Sequence, residues 1–163
     1  MPETTVFAGG LPLYEIVPMK RLHIGAVLEI EEASFTKPWT LGIFDAEVRN
    51  LSRVSSPFVL VTQDGTVAGF LVLWNIAGEM HVNNIAVSPG HRGKKLGEAL
   101  MNFTEELARE KDCIVVTLEV RTTNTAAVAL YKKLGFKKVG TRKNYYEETG
   151  EDALIMTKGL SPA

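Results

Sequence analysis

One cysteine, Cys113, and three histidines, His23, His81 and His91, are the only thiol and imidazole side chains in the 163 residues. A single thiol closes no internal disulfide, and one Cys with scattered His residues does not build a zinc cluster. A reducing compartment fits, and no metal is expected. No apolar run approaches the roughly 20 residues of a membrane span, and the start from Met1 to Gly10 lacks the basic and then apolar pattern of a secretory signal. The expected location is therefore the cytoplasm, with no membrane partner. Charge of one sign is missing too: Lys+Arg 18 against Asp+Glu 19 leaves a net charge of -1, which removes the overall field of a dedicated nucleic-acid binder. The basic side chains between residues 91 and 145 do not interleave with aromatics, so direct nucleic-acid contact is not expected. Repeats and low-complexity stretches are absent. What is present is 45% hydrophobic, enough for one core in one domain. That domain is expected over residues 13–158, with flexible tails at 1–12 and 159–163.

The pattern of apolar residues sets out the elements. Leu13 to Val17 reads as a strand stopped by Pro18, followed by a helix from Met19 to Phe35 with Leu22, Ala26, Ile30 and Ala33 on its apolar side. Pro38 breaks that helix, and Thr40 can cap a second one carrying Ile43, Phe44, Glu47 and Val48. Phe58 to Thr62 and Val67 to Trp74 flank Asp64-Gly65, a hairpin signal. Met80 to Val87 is a further strand. A long helix then follows with Leu96, Ala99, Leu100, Phe103 and Leu107 on one face. Ile114 to Val120 is nearly continuously apolar, which predicts cover on both faces. A helix with Ala127, Leu130, Tyr131 and Leu134 stops at Gly135, and Lys138 to Tyr146 and Ala153 to Thr157 form a last hairpin. The order is β-α-α-β-β-β-α-β-α-β-β.

The segment Ser88-Pro89-Gly90-His91-Arg92-Gly93-Lys94-Lys95-Leu96-Gly97 joins a strand to a helix N-terminus. Free backbone N–H groups and the positive end of the helix dipole make such a junction an anion site, and Arg92, Lys94 and Lys95 add charge. The spacing fails both nucleotide fingerprints: Ser88 stands where a P-loop needs its first Gly, and Gly90, Gly93 and Gly97 do not match Gly-x-Gly-x-x-Gly. Kinase, ATPase and Rossmann dehydrogenase readings are disfavoured, while a solvated turn remains open on these residues alone.

Three stretches together resemble the GNAT superfamily of acyl-CoA N-acyltransferases. They are Asn84-Ile85-Ala86-Val87-Ser88-Pro89, the Arg92 to Gly97 loop opening a helix, and Asn124 with Ala127, Leu130-Tyr131 and Leu134-Gly135-Phe136. Lys37-Pro38-Trp39-Thr40, Leu118-Glu119-Val120-Arg121 and Arg142-Lys143-Asn144-Tyr145-Tyr146 are similar to the RimI-type N-terminal acetyltransferases within it. The resemblance spans about Tyr14 to Lys158. It implies an α/β (α+β) fold: a mixed, mostly antiparallel sheet of about seven strands, splayed between the fourth and fifth, with about four helices on its two faces. It also implies acetyl-CoA as cosubstrate. The pantetheine arm would lie against the backbone of Ile85, Ala86 and Val87, with the pyrophosphate on the N–H groups of Arg92, Gly93, Lys94, Lys95, Leu96, Gly97 and Glu98. Asn124 and Tyr131 would flank the arm, and Lys132 or Lys133 would reach the outer phosphates. One position departs from the family: Lys95 stands where the first glycine of the loop motif usually lies, which predicts altered affinity for the cosubstrate.

Acetyl transfer to an amine needs a neutral amine, a route for its proton and a proton for the leaving thiolate. Glu119 and Tyr131 match the positions that RimI-type enzymes use as base and acid. Desolvation in an apolar strand makes a carboxylate a readier proton acceptor, whereas pairing with Arg121 is the bland reading of Glu119. An α-amine titrates near 7.7 to 8.0 and a lysine near 10.4, so freeing the amine at pH 7 costs about 1 kcal/mol for the first and over 4 for the second. A carboxylate base suits the first. Trp39, Asn84, Tyr145 and Tyr146 are the candidate substrate-binding residues, and Glu79 or His81 is the second candidate for proton relay. Cys113 reads as an inert thiol, which favours direct transfer in a ternary complex. The expected function is acetyl-CoA-dependent acetylation of a protein N-terminus, for which the resemblance implies a ribosomal protein beginning with Ala. The rivals are acetylation of a small amine or internal lysine, and a non-catalytic acyl-CoA-binding module.

Overall fold

The computed structural model describes residues 4–8, 11–147 and 149–161. Its sheet has eight strands in the order β1-β2-β3-β4-β5-β6-β8-β7: β1 (Thr5–Ala8), β2 (Leu11–Pro18), β3 (Ser55–Thr62), β4 (Val67–Ile76), β5 (Glu79–Val87), β6 (Val115–Arg121), β7 (Lys137–Tyr146) and β8 (Glu151–Gly159). The helices are α1 (Ile24–Ser34), α2 (Leu41–Val48), α3 (Leu96–Glu110) and α4 (Thr125–Lys133). Every neighbouring pair is antiparallel except β5 and β6. This is the mixed fold expected from sequence, with one strand more. Thr5–Ala8 forms an edge strand where a tail was expected, and β8 runs on to Gly159.

Two apolar layers clothe the sheet. On one face Leu71, Leu73, Met80, Val116, Leu118 and Val120 pack against Leu96, Leu100, Phe103 and Leu107 of α3 and Tyr131 of α4. On the other, Val59, Phe70, Val72 and Ala86 meet Ile24, Val27 and Ile30 of α1 and Phe44 of α2. Phe44 is fully buried and edge-on to Phe70 at 5.5 Å. The Asp64-Gly65 hairpin forms as expected, with Gly65 at φ 87° and Thr62 N–H bonding to Thr66 C=O at 2.9 Å. Thr40 caps α2.

Two expectations are corrected. Helix α1 starts at Ile24 after a 3-10 turn at Arg21–His23, and its buried stripe is Ile24, Val27, Ile30 and Glu31. Leu22, placed on the apolar side from sequence, is 79% exposed, and Ala33 is exposed as well. The 3-10 turn, closed by Lys20 N–H bonding to His23 Nδ1, resets the helical phase. Strand β6 is not covered by a second helical layer: Val116, Leu118 and Val120 are buried while Thr117, Glu119 and Arg121 alternate to the other side, and Ile114 is 71% exposed. The face opposite α3 is a cleft.

The α3 junction explains the glycine preference that Lys95 breaks. Lys95 is the residue before α3 and sits at φ 60°, ψ 26°, the left-handed region, where a side chain costs about 1–2 kcal/mol. Replacing Lys95 by Gly relieves that strain and loses about 0.4–1 kcal/mol through the freer unfolded chain. Thermal unfolding of Lys95→Gly is therefore expected at a midpoint about 1–3 °C above wild type, with Lys95→Ala no more stable than wild type.

Candidate active site

Strands β5 and β6 pair only from Glu79↔Val115 to Val82↔Leu118. Beyond that point β5 runs on to Val87 and β6 to Arg121 with no ladder between them. A bulge causes the parting. The β4–β5 register passes from Val72↔Asn84 to Leu73↔Val82, so Asn83 is the extra residue, and a bulge bends and twists its strand. Asn83 Nδ2 is left buried without a partner. Asn84 turns its amide to the buried carboxylate of Glu31, with Nδ2 donating to Oε2 at 2.8 Å.

The gap opens into a cleft of about 890 Å³. Its lining includes Trp39, Asn84, Glu119, Asn124, Tyr131, Tyr145 and Tyr146, so the structure brings together residues that sequence reasoning assembled from five separate stretches. Ile85 also lines it, whereas Ala86, Val87 and the loop from Arg92 to Glu98 lie outside that lining. A smaller groove of about 540 Å³ between α1 and the β3–β4 turn contains none of the predicted catalytic or substrate-binding residues.

Glu119 does not stand unpartnered in an apolar wall, nor does it pair with Arg121. Arg142 Nε lies 3.0 Å from its Oε1, and the Glu119 side chain keeps about a quarter of its surface exposed (26%). Tyr145 donates a hydrogen bond to the same carboxylate, and burial together with that acidic neighbour pushes the Tyr145 phenol up. Arg121 instead bonds Glu151 at 3.1 Å and stacks 3.8 Å over the ring of Tyr146. Tyr145 and Tyr146 meet edge to face at 5.1 Å. Tyr131 is 7% exposed, and burial, with Tyr146 nearby, pushes its phenol up to about 12. Its proton is therefore retained throughout the neutral range. His81 Nε2 lies 3.5 Å from Glu79 Oε2 at the closed end of the gap. Cys113 is buried, its thiol pushed up by desolvation and bonded to Asn75 Oδ1 at 3.5 Å.

The junction before α3 carries the second group of residues that the sequence singles out. The first backbone bond of α3 runs from Ala99 N–H to Lys95 C=O at 3.1 Å, and no side chain caps the helix. The N–H groups of Leu96, Gly97 and Glu98 thus have no acceptor within the helix. A Cβ built on Gly97 would meet only Leu130 Cδ2 at 3.6 Å, an ordinary contact, so the fold itself has room for a side chain there. Arg92 is committed elsewhere: its guanidinium bonds Val87 C=O and Ser34 Oγ, both at 3.1 Å. Lys133 bonds Glu98 at 3.2 Å, leaving Lys132 exposed. Asn124 Oδ1 caps α4 through Ala127 N–H at 3.2 Å. Among the described residues, no group of three His, Cys, Asp or Glu side chains is placed to hold a metal.

Two residues of the cleft escaped sequence reasoning. Arg142 was read only as part of a motif tail. Glu31 was passed over because charged residues on helices are usually solvated. The missed signal is spacing: Val27 and Glu31 are i, i+4 on the face that also carries Ile24 and Ile30. Glu31 is 2% exposed, and burial raises its carboxyl despite hydrogen bonds from Trp39 N–H and Asn84 that oppose the shift.

The model of the acetyltransferase (GNAT) family matches residues 24–136. A protein of Bacillus subtilis (strain 168) is 43% identical over 138 residues, covering 85% of this chain and 90% of that one; its name provisionally assigns it as a ribosomal protein bS18-alanine N-acetyltransferase. The enzyme of Escherichia coli (strain K12) named for that activity is 33% identical over 148 residues, 90% of this chain and 97% of its own. The crystal structure of the ribosomal-protein-S18-alanine N-acetyltransferase from Escherichia coli superposes with a TM-score of 0.82 at 31% identity, covering 93% of this chain and 96% of that one. A family whose acetyltransferases use acetyl-CoA accounts for a parted parallel pair beside an uncapped helix N-terminus, and the chain is a member of the acetyltransferase (GNAT) family.

Proposed function

We propose that this enzyme acetylates the α-amine of a protein N-terminus, with an alanine-starting ribosomal protein as a substrate, by direct transfer from acetyl-CoA. One observation supports this above the rest: the Glu119 carboxylate and the proton-retaining Tyr131 line a single cleft at the parting of β5 and β6. The relatives named above carry the same substrate in their names.

In this reading the chain divides the work between the two sides of the sheet. The edge of β5 that has parted from β6, at Ile85, Ala86 and Val87, holds the pantetheine arm, and the N–H groups from Arg92 to Glu98 hold the pyrophosphate on the helix dipole. Two of the basic side chains are less free to reach the phosphates than the sequence suggests, because Arg92 is held by Val87 C=O and Ser34 Oγ and Lys133 is paired with Glu98. Asn124 and Tyr131 flank the arm. Lys95 holds the left-handed turn that glycine would take, so the loop keeps its course despite the substitution. Acetyl-CoA supplies an activated thioester when bound.

Trp39, Asn84, Tyr145 and Tyr146 bind the peptide on the other side. Glu119 accepts the proton of the α-ammonium, directly or through water, and Arg142 and Tyr145 fix the carboxylate that does so. Tyr131 gives its proton to the leaving thiolate; a phenol held near 12 is a poor acid in isolation, but it matches an acceptor as basic as a newly released thiolate better than bulk water does. His81, tied to Glu79, remains the second relay candidate.

The test is mass spectrometry of a mixed peptide library incubated with acetyl-CoA, wild type beside Glu119→Gln, scoring α-amine and lysine products separately. Acetylated α-amines that fall about 10²–10⁴-fold in the variant are expected. Lysine-only products, or acetyl-CoA binding with no product, contradict the proposal. For the cosubstrate side, Gly97→Ala is expected to leave the unfolding midpoint unchanged or slightly higher while weakening acetyl-CoA binding about tenfold, measured by calorimetry; equal affinity would remove the α3 terminus from the site. Because Tyr131 stays protonated to about 12, kcat is expected to show no alkaline fall from this group up to about pH 10.

A further inference from the structure

Helix α1 contributes one carboxylate to the interior, and both of its oxygens are spoken for. Glu31 Oε1 accepts from Trp39 N–H at 3.0 Å, and Oε2 accepts from Asn84 Nδ2 at 2.8 Å. Trp39 belongs to the loop between α1 and α2, Asn84 to the bulge of β5, and all three residues line the same cleft. A helix face that is otherwise Ile24, Val27 and Ile30 gains nothing from a buried charge as packing; the desolvation cost of such a group is several kcal/mol before its bonds are counted.

The bonding direction carries more than the bonds themselves. A backbone N–H can only donate, so Trp39 fixes Oε1 as an acceptor. An ionised carboxylate can only accept, so its second oxygen selects the amide nitrogen of Asn84 and dictates which way that amide is turned. Asn84 Oδ1 then has no partner among the described residues. A carbonyl oxygen with a fixed orientation at the parting of β5 and β6 suits an N–H donor, which the amine or first peptide group of an N-terminus offers; the shared bonds with Trp39 put Asn84 beside the loop wall where the peptide is proposed to lie.

We infer that Glu31 is a positioning residue for the acceptor substrate: by holding Trp39 N–H and Asn84 Nδ2 on its two carboxylate oxygens, it sets the loop wall and aims Asn84 Oδ1 at the N–H groups of the incoming N-terminus. This rests on the N-terminal acetyltransferase reading above. Glu31 acts through Trp39 and Asn84 and transfers no proton itself.

Glu31→Gln keeps one acceptor for Trp39 but places an amide donor against the donor of Asn84, so the Asn84 amide turns over. The double variant Glu31→Gln with Asn84→Asp restores a donor–acceptor pair and an oxygen toward the cleft. Steady-state kinetics with an alanine-starting peptide is the first readout. The KM for peptide is expected to rise about tenfold in Glu31→Gln, the worth of one hydrogen bond, with the KM for acetyl-CoA changed less than about twofold and the peptide KM recovering in the double variant. Equal movement of both KM values, or no recovery, overturns the inference. Hydrogen exchange of the Trp39 amide without substrate is the second readout, and needs no activity. Glu31→Ala is expected to speed it at least about tenfold under conditions where both proteins are folded, and unchanged exchange also overturns the inference. Wild type inactive on α-amines would instead sink the proposed function, with the exchange result still judging Glu31.

Discussion

Two parallel strands that pair for four residues and then part are the constraint on which the rest of this enzyme depends. Each residue of a central strand brings one N–H and one C=O that must find partners. From Glu79 to Val82, β5 finds them on both neighbours; from Asn84 to Val87 its one neighbouring strand is β4, with Val87 C=O also accepting from Arg92. A strand left half-paired inside a core is costly. It persists because the bulge at Asn83 turns β5 away from β6, and because Glu31 and Trp39 build a wall on the opened side. On the proposed reading, the pantetheine arm of acetyl-CoA lies along the edge of β5 that β6 leaves.

Three local conflicts stand in the structure. Lys95 occupies a left-handed conformation, Asn83 has a buried amide without a partner, and Glu31 is a buried carboxylate. Each costs stability of about 1–3 kcal/mol by general experience. The two apolar layers, where Phe44, Phe70, Leu71, Leu73, Leu100 and Met156 are fully buried, supply the surplus that tolerates them. By contrast, the ion pairs of Arg142 with Glu119 and of Arg121 with Glu151 stay partly open to solvent, which screens them and reduces their worth to stability. Their role is arrangement: two arginines, two tyrosines and Glu119 hold one another in fixed positions along the mouth of the cleft.

Much of this was legible in the sequence. The Asp64-Gly65 hairpin, the α3 stripe, the Gly135 stop and the C-terminal hairpin follow from local rules, because turn chemistry and helical period act within a few residues. Edge strand β1 was not legible: four residues carry too little pattern, and only pairing with β2 defines them. The phase of α1 failed because the 3-10 turn rotates the helix before it starts. At the site, the meeting of Glu119 and Tyr131 in one cleft follows from their surroundings in sequence, yet Arg142 as the partner of Glu119 does not, since it reaches the carboxylate from across β8. Glu31 was missed for a similar reason. A buried carboxylate is recognisable only with its donors, and Asn84 lies 53 residues away in the chain.

Amide hydrogen exchange with and without acetyl-CoA tests the parted pair most directly. Binding in the gap is expected to slow exchange in the first turn of α3, at Leu96 to Glu98, and along β5 from Asn84 to Val87, while Glu79 to Val82, already paired on both sides, stays unchanged. Slowing confined to the groove between α1 and the β3–β4 turn, or none at α3 and outer β5 at saturating acetyl-CoA, would contradict the claim that this gap is the cosubstrate slot.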